Sequence, residues 1–599
     1  MYAIFPAVTA TKVQTAAYLV GVASFSISFL VFLNASISFV ITDCIGQQEG
    51  VGDAVGTLGF ADELLALAAC PLWGLLSDRI GVRNVTVSGF CIIALSFFVL
   101  VQSRNVYPQL LLGRLLFSVG GAACSTMVTA ILPALTMRRV ESRPVNRPDE
   151  SSTEPDFNVR HSGAFSVSSE LTITPARYIF SPPSSSSGRQ RTTYPQSVDK
   201  DQGSGAGTSS QLAGFVGLFT GIGALLAVAI FLPLPTTIAG AGTSKRDAVQ
   251  YSFYIVACIA LILAVLVYLG LRGLPGDEGK GFRNIYITPD RSSHTEASTI
   301  SGADATPTPY VHLVKAALGL AFTDSRIALG YIGGFVARGS SVAISLFIPL
   351  FVNAYFIRNG LCEGDPGDDI KSKCRRAYTL ASMLTGFAEL AALLCAPLIG
   401  WVNSRLSKQE STANIPLSIG AVAGIAGAVI FGLTSDPDPF SGGGATVIIS
   451  VILLGISQIT AIVCSLGTLS RGIQVVAQPP FDNISHSDEP TPSSEQPTAG
   501  MNGHHESSEA SPLLTRQPTA ASNQPIDRVQ LKGTIAGVYS LLGGVGILVL
   551  TKLGGFLFDK THVGAPFFVL AGYNGSLLAA VAIIAAAKYC RGMSRTATS

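Results

Sequence analysis

Apolar residues run along this chain in twelve long blocks: Thr15–Ile41, Ala54–Leu76, Val85–Ser103, Gln109–Ala134, Gln211–Leu234, Tyr251–Leu271, Arg326–Val352, Tyr378–Gly400, Ile415–Thr434, Ala445–Ser470, Gly533–Gly555 and Phe567–Tyr589. Each has about the ~20 residues that a helix needs to cross a bilayer. Gly, Pro, Ser and Thr inside the blocks do not spoil the reading, because neighbouring helices satisfy the backbone groups they free. The pattern predicts an all-α integral membrane protein with twelve transmembrane helices.

Three polar stretches interrupt the series: Glu141–Ser210, Leu274–Pro309 and Pro479–Arg528. They are rich in Ser, Pro and other polar residues, and their apolar content is too low to offset chain entropy, so all three are expected to be disordered. They divide the chain into a six-helix bundle over 1–273 with an insertion at 141–210, a linker at 274–309, and a second bundle over 310–599 with an insertion at 479–528. Each insertion falls between the fourth and fifth spans of its half.

The halves repeat one another. Glu63–Ile80 and Leu406-terminated Glu389–Leu406 lie 326 residues apart and share eight of eighteen positions without gaps, among them the Glu, Pro, Gly and Arg. Gly214–Leu225 and Gly537–Leu548, 323 residues apart, share a spacing of Gly and Leu. Such duplication predicts two pseudo-symmetric six-helix bundles. Small residues at these spacings let helix backbones approach closely.

Composition agrees: 48% of residues are hydrophobic and only 13% charged, which fits a lipid environment. The net charge of +2 says little, but its placement says more. Arg79, Arg83, Arg138, Arg139, Arg272, Arg405, Arg471, Lys532 and Arg591 all fall at one set of helix ends, which the positive-inside rule assigns to the cytosol. The loop Asn353–Ala377 runs against this with five basic residues, offset by four acidic ones. The first block is long enough to span and remain, so no cleaved leader is expected.

The turn Gly74-Leu-Leu-Ser-Asp78-Arg79-Ile-Gly81-Val-Arg83 resembles the G-x-x-x-D-R-x-G-R-K signature of the major facilitator superfamily, with Val82 at one basic position. Gly113-Arg114-Leu-Leu-Phe-Ser118-Val-Gly120-Gly-Ala122 is similar to the family's R-x-x-x-G-x-G-x-A pattern. The G-P pair of many of its drug antiporters is missing from the fifth span. The general look is similar to fungal members. The resemblance implies the family's fold of two six-helix bundles. It also implies a cytosolic gate at Gly74, Asp78, Arg79, Gly81 and Arg83, with Arg405 in the second copy, and a part for Arg114 in proton relay.

Charges at mid-membrane depth are functional candidates, because they are costly there. Glu63, Glu389 and Arg338 each lie near the middle of a block. A carboxylate there must pair, face water or take up a proton. Two readings stand side by side: Glu63 and Glu389 carry a coupling proton, or they form structural pairs such as Glu389 with Arg338. Arg338 also suits an anionic substrate. Asp62, a further candidate at this depth, adjoins Glu63 but points about 100° away on a helix, so it is expected to meet a neighbouring helix or a water-filled edge. Asp78 is expected to sit near the positive N-terminus of the span starting at Gly533, whereas the second copy has Ser404 in its place. Asn34, Gln458 and Tyr18 read as interhelical hydrogen-bonding residues.

Cys362 and Cys374 share a loop on the non-cytosolic side, where a disulfide persists if it forms; a bond and two free thiols are both open readings. Glu509, Leu513 and Leu514 form an acidic dileucine pattern in a polar cytosolic stretch, suited to sorting adaptors and favouring a vacuolar or other endomembrane over the plasma membrane. No phosphate-binding loop, HExxH or nucleophile elbow occurs, so an enzyme, a metal and a cofactor are not expected, nor is nucleic acid as a partner. The expected partners are the bilayer, protons and a small-molecule substrate. The leading reading is a proton-coupled carrier working by alternating access between its bundles; the alternative is a non-transporting nutrient receptor on the same fold.

Overall fold

The computed structural model describes residues 10–47, 51–136, 202–240, 242–277, 279–282, 310–361, 375–407, 414–440, 442–474, 528 and 531–597. Twelve helices are long and apolar enough to cross a membrane, one for each apolar block: α1 Lys12–Ile45, α2 Ala54–Ile80, α3 Val82–Leu100, α4 Val106–Thr136, α5 Gly207–Ala239, α6 Lys245–Gly270, α7 Ser325–Arg358, α8 Thr379–Leu406, α9 Ile415–Gly432, α10 Gly444–Gln474, α11 Lys532–Lys560 and α12 Ala565–Cys590. Among the described residues there is no strand. A further helix, Tyr310–Thr323, precedes α7; the Tyr331 hydroxyl donates to its Ala317 carbonyl at 3.2 Å.

Each half has its own aromatic staple. In the first, Phe32 of α1 lies 4.9 Å from Phe253 of α6, with Phe97 of α3 and Phe231 of α5 edge-on to the same ring. In the second, Phe431 of α9 meets Phe567 of α12 at 4.7 Å and Phe351 of α7 at 5.2 Å. All of these rings are at most 3% exposed. Such pairs add about 0.5–1.5 kcal/mol each beyond their burial, so each half is held together internally, at the end away from the basic residues.

The two halves meet at their basic ends through glycine. A Cβ on Gly74 of α2 would stand 2.4 Å from the Gly533 carbonyl oxygen and 3.0 Å from the Gly537 Cα of α11. The matching crossing joins α8 to α5: a Cβ on Gly400 would stand 2.7 Å from the Gly214 Cα. Gly74, Gly537, Gly400 and Gly214 belong to the two sequence repeats, so the repeats bring about two equivalent backbone crossings. A wide π-type turn also recurs, at Ala227–Phe231 in α5 and Leu550–Gly554 in α11, again 323 residues apart.

Away from the basic end the same faces part. Residues eleven apart on a helix share a face, three turns on. Leu225 shares the face of Gly214 and is 56% exposed. On α8, Ser382, Gly386 and Glu389 share the face of Gly400; Ser382 and Glu389 are exposed and a Cβ on Gly386 would touch nothing. On α2, Gly56 and Gly59 likewise front open space. The bundles are therefore sealed at the basic end and open at the other.

The first residues of the expected linker are not loose. Leu274 is buried, and Asp277 and Lys280 dock beside the α2–α3 turn. Nothing in their polar, glycine-rich composition signals this; their partners are far away in sequence. The insertion expected to be disordered at 141–210 ends in order: residues 202–210 belong to the helix Gln202–Leu226, where Ser209 and Ser210 are buried against the bundle, and Arg528, at the end of the insertion expected at 479–528, pairs with Asp324. The rest of both insertions and most of the linker lie outside the described residues.

Adding one methyl group should separate the two faces. Gly400→Ala is expected to lower stability by about 1–3 kcal/mol through overpacking, whereas Gly386→Ala should leave it unchanged or raise it by about 0.5–1 kcal/mol. Melting of the purified variants in one detergent checks the contrast.

Candidate functional site

The crossings aim the mid-membrane acids. Glu63 precedes Gly74, and Glu389 precedes Gly400, by eleven residues each. Both carboxylates therefore lie on the faces turned toward the opposite bundle, at the floor of the open space. Glu63 is half-buried and Glu389 exposed. Gln458 of α10 is the hydrogen-bonding neighbour of Glu389. Glu389 fronts the gap between helices; the lipid-facing arc of α8 is marked instead by Leu390, Leu394 and Leu398, all at least 50% exposed.

Asp62 points elsewhere, as its 100° offset requires. It accepts from Arg114 of α4, with Arg114 Nη2 at 2.6 Å and Nε at 2.9 Å. Arg114 also donates to Asn34 of α1 at 2.6 Å, and the Ser118 hydroxyl donates to the Asp62 carbonyl at 2.8 Å. The pair is almost fully buried, and its two charges satisfy one another and stitch α1, α2 and α4 together.

Arg338 of α7 lies against Gly543 of α11, its Cγ 2.7 Å from where a glycine Cβ would be. Arg338 and Arg114 both lie within electrostatic reach of Glu63. Among the described residues no ion pair joins Arg338 to Glu389, so the structural pair considered for Glu389 is not formed. Gln458 Nε2 donates to the Ser341 hydroxyl of α7 at 3.0 Å. Tyr18 donates to the Val128 carbonyl of α4.

At the basic end Asp78 sits on the N-terminus of α11. Gly533 N–H donates to its Oδ1 at 2.7 Å; Thr534 N–H and Oγ1 donate to its Oδ2 at 2.7 and 2.6 Å. A carboxylate suits this place because the first N–H groups of a helix lack partners within it and carry its positive end. Gly81 adopts φ +92°, open to glycine at little cost, and starts α3 in the right direction. Arg83 stacks over the Tyr268 ring at 4.6 Å, and Arg405 over Trp401 of its own helix at 5.1 Å. Arg79 ends α2 at the same end. In the second copy Asn403, beside Ser404, donates to the Ser210 hydroxyl of α5 at 3.3 Å, so that crossing lacks the carboxylate.

Two further links escape sequence reasoning. Gln474, at the end of α10, donates to the Pro133 carbonyl of α4 at 3.2 Å and to the Thr136 hydroxyl, while the Ser209 hydroxyl of α5 donates to Thr136 at 3.0 Å. Lys532, fully buried at the start of α11, pairs with Asp277 at 3.2 Å. Nearby, burial and the Lys532 ammonium hold Lys280 below the usual lysine range. A cleft of about 80 Å³ lies beside this group, lined by Gly81, Arg83, Asn84, Asp277 and Lys280, well away from the mid-membrane acids. The partners of Gln474 lie 338 and 341 residues away, and no motif or spacing announces them. Cys362, Cys374, Glu509, Leu513 and Leu514 lie outside the described residues.

Residues 24–143, which hold the signature turn, the Asp62–Arg114 pair and α4, match the model of the Major Facilitator Superfamily. The matched segment lies within the first half of the chain. No curated protein matches it. Among solved structures, the human organic anion transporter MFSD10 (TETRAN) is similar at TM-score 0.48 and 12% identity, covering 95% of this chain and 99% of that one. The proton:xylose symporter XylE follows at 0.47 and 12%, covering 94% of each chain, and the nucleoside transporter NupG at 0.44 and 14%, covering 96% and 99%. Likenesses this weak carry no argument about ligand or state. The structure itself adds a gap floored by acids and sealed by polar links.

Two outcomes follow. Asp62→Ala should cost about 3–5 kcal/mol by leaving Arg114 buried without its counter-charge, and Asp62→Leu/Arg114→Leu should recover most of that in a melting experiment. Asp78→Asn should raise the labelling of a cysteine at the buried Ser210 by a water-soluble maleimide about tenfold, with a smaller rise for Gln474→Ala, because charge-assisted hydrogen bonds are the stronger links.

Proposed function

We propose that this protein is a member of that superfamily and a proton-coupled secondary transporter that moves a small solute by alternating access. Supporting this is the pairing of an open inter-bundle gap, carrying Glu63 and Glu389 at its floor, with a basic end closed by separable contacts. Carboxylates at that depth, one beside two arginines and one beside a neutral amide, can take up a proton from one side. Glu63 and Glu389 are the coupling candidates, and Arg338 is the balancing charge of Glu63. Arg114 holds Asp62 and so fixes α2.

Closure at the basic end rests on hydrogen bonds of Asp78 and Gln474 and on the Lys532–Asp277 pair. Each is worth about 1–3 kcal/mol or less net, so together they hold one state without freezing it. Parting them, while the faces around Leu225 and Glu389 close, gives the inward-facing state. The positive-inside placement of Arg79, Arg83 and Lys532 puts the sealed end in the cytosol. For address we propose an endomembrane, vacuolar by preference, through the pattern at Glu509, Leu513 and Leu514.

Proteoliposomes given a cell metabolite extract and an imposed pH gradient test the reading. Solute uptake, followed by mass spectrometry, is expected to depend on the gradient and to lose that dependence in Glu63→Gln or Glu389→Gln. Unchanged gradient-driven uptake in both variants ends the proposal.

A further inference from the structure

The two halves treat their matching carboxylates differently. Glu63 has Asp62 beside it, Arg114 paired to Asp62, and Arg338 within reach. The residue before Glu389 is Ala388, and Gln458 is the side chain that bonds to Glu389. Gln458 is only 6% exposed. Its Nε2 is committed to Ser341 at 3.0 Å and faces Glu389, and its Oε1 is buried with no hydrogen-bond partner among the described residues. Acceptors therefore outnumber donors at this spot, and one negative charge is not balanced. The remaining charges on the surrounding helices are already engaged. Arg114 holds Asp62, Arg338 lies in reach of Glu63, and Lys552 of α11 sits 3.9 Å over the Phe60 ring. Next to Glu389, Gly386 leaves room where a side chain would stand.

We propose that the transported solute carries a protonated amine and that Glu389, with Gln458 and Ser341 beside it, is the subsite that receives the ammonium. An ammonium supplies what the spot lacks, a positive charge and several N–H donors. A carboxylate or phosphate would meet an unpaired carboxylate and an unpaired amide oxygen. A neutral polyol would leave the charge unbalanced. Glu389 holds either a proton or the ammonium, so acidification weakens amine binding; Glu63, Arg338 and Lys552 are the ionisable groups around the gap with it, while Asp62 and Arg114 are paired with one another behind Glu63 and Tyr539 is buried against Ser465. This inference rests on the reading of the gap as the binding cavity.

The test is binding to the purified full-length protein in detergent, read by thermal shift. Ethyl-, pentyl- and phenylethylammonium are compared with propanoate, hexanoate and phenylpropanoate. At least one ammonium should stabilise the protein while its matched carboxylate does not, since a ligand that binds only the folded state raises the melting temperature. Glu389→Gln should weaken that ammonium about tenfold or more, Glu389→Asp should keep the preference, and Gln458→Leu should weaken binding by a smaller factor. The ligand-free melting of each variant reports its folding separately. A carboxylate preference, no response to any ammonium, or undiminished ammonium binding by a folded Glu389→Gln protein overturns the proposal. Ammonium binding without gradient-driven uptake would sink the transport reading and leave Glu389 as an ammonium-binding subsite; gradient-driven uptake without an ammonium preference would sink the subsite and leave the transport reading.

Discussion

Backbone contact between helices, where no side chain intervenes, is the constraint on which the molecule depends. Gly74 on Gly537 and Gly400 on Gly214 fix not only the distance between the halves but the rotation of α2 and α8 about their axes. A helix that must turn one glycine toward a partner has no freedom left for the residue eleven positions earlier. Glu63 and Glu389 therefore look into the gap because Gly74 and Gly400 look into the seam. A slip of one residue at either crossing would swing the carboxylate by about 100°. In α2 that slip would bring Asp62 into the gap and break its pair with Arg114.

The same constraint explains why the seal is polar. Glycine crossings bring backbones close but bury little apolar surface, so they add limited hydrophobic attraction in a membrane, where lipid competes equally well for apolar faces. Direct polar links then decide whether the end is open or closed. Asp78 on the α11 N-terminus, Gln474 across α4 and the buried Lys532–Asp277 pair are each made between the halves rather than within one. The aromatic clusters work the other way. Phe32 with Phe253, and Phe431 with Phe567, bind each half to itself at the end where the halves stand apart. Strong cohesion within the halves and modest, replaceable links between them is the condition for rigid-body rocking.

The architecture was legible in the sequence because lipid imposes it so directly. All twelve helices match apolar blocks, and the two repeats hold the glycines of the two crossings, although nothing in the sequence paired one repeat with the other. The placement of Asp78 near Gly533 followed from helix electrostatics, and the outward turn of Asp62 from the 100° step. Long-range polar partners were not legible. Gln474 reads as an ordinary polar residue at a helix end, and Asp277 as one charge in a polar linker, until folding sets them beside residues hundreds of positions away. The supposed Glu389–Arg338 pair failed for a related reason. Similar depth in two helices does not make two side chains share an azimuth, and Arg338 is turned toward α11 and α2.

Duplication followed by divergence leaves a signature in charge. If both halves did the same work, Asp62 and Arg114 would have counterparts beside Glu389, and Asp78 one beside Gly400. Ala388 and Ser404 stand there instead. The first half spends its extra charges on fixing α2 and locking the seam; the second keeps its single carboxylate accessible, with an amide as its neighbour. A buried ion pair is rigid because removing either member exposes the other to low dielectric. A lone accessible carboxylate has no such restraint and can exchange one positive partner for another. On the proposed reading the asymmetry divides the labour: α2 supplies a fixed frame and a latch, and α8 supplies the group whose counter-charge is free to change.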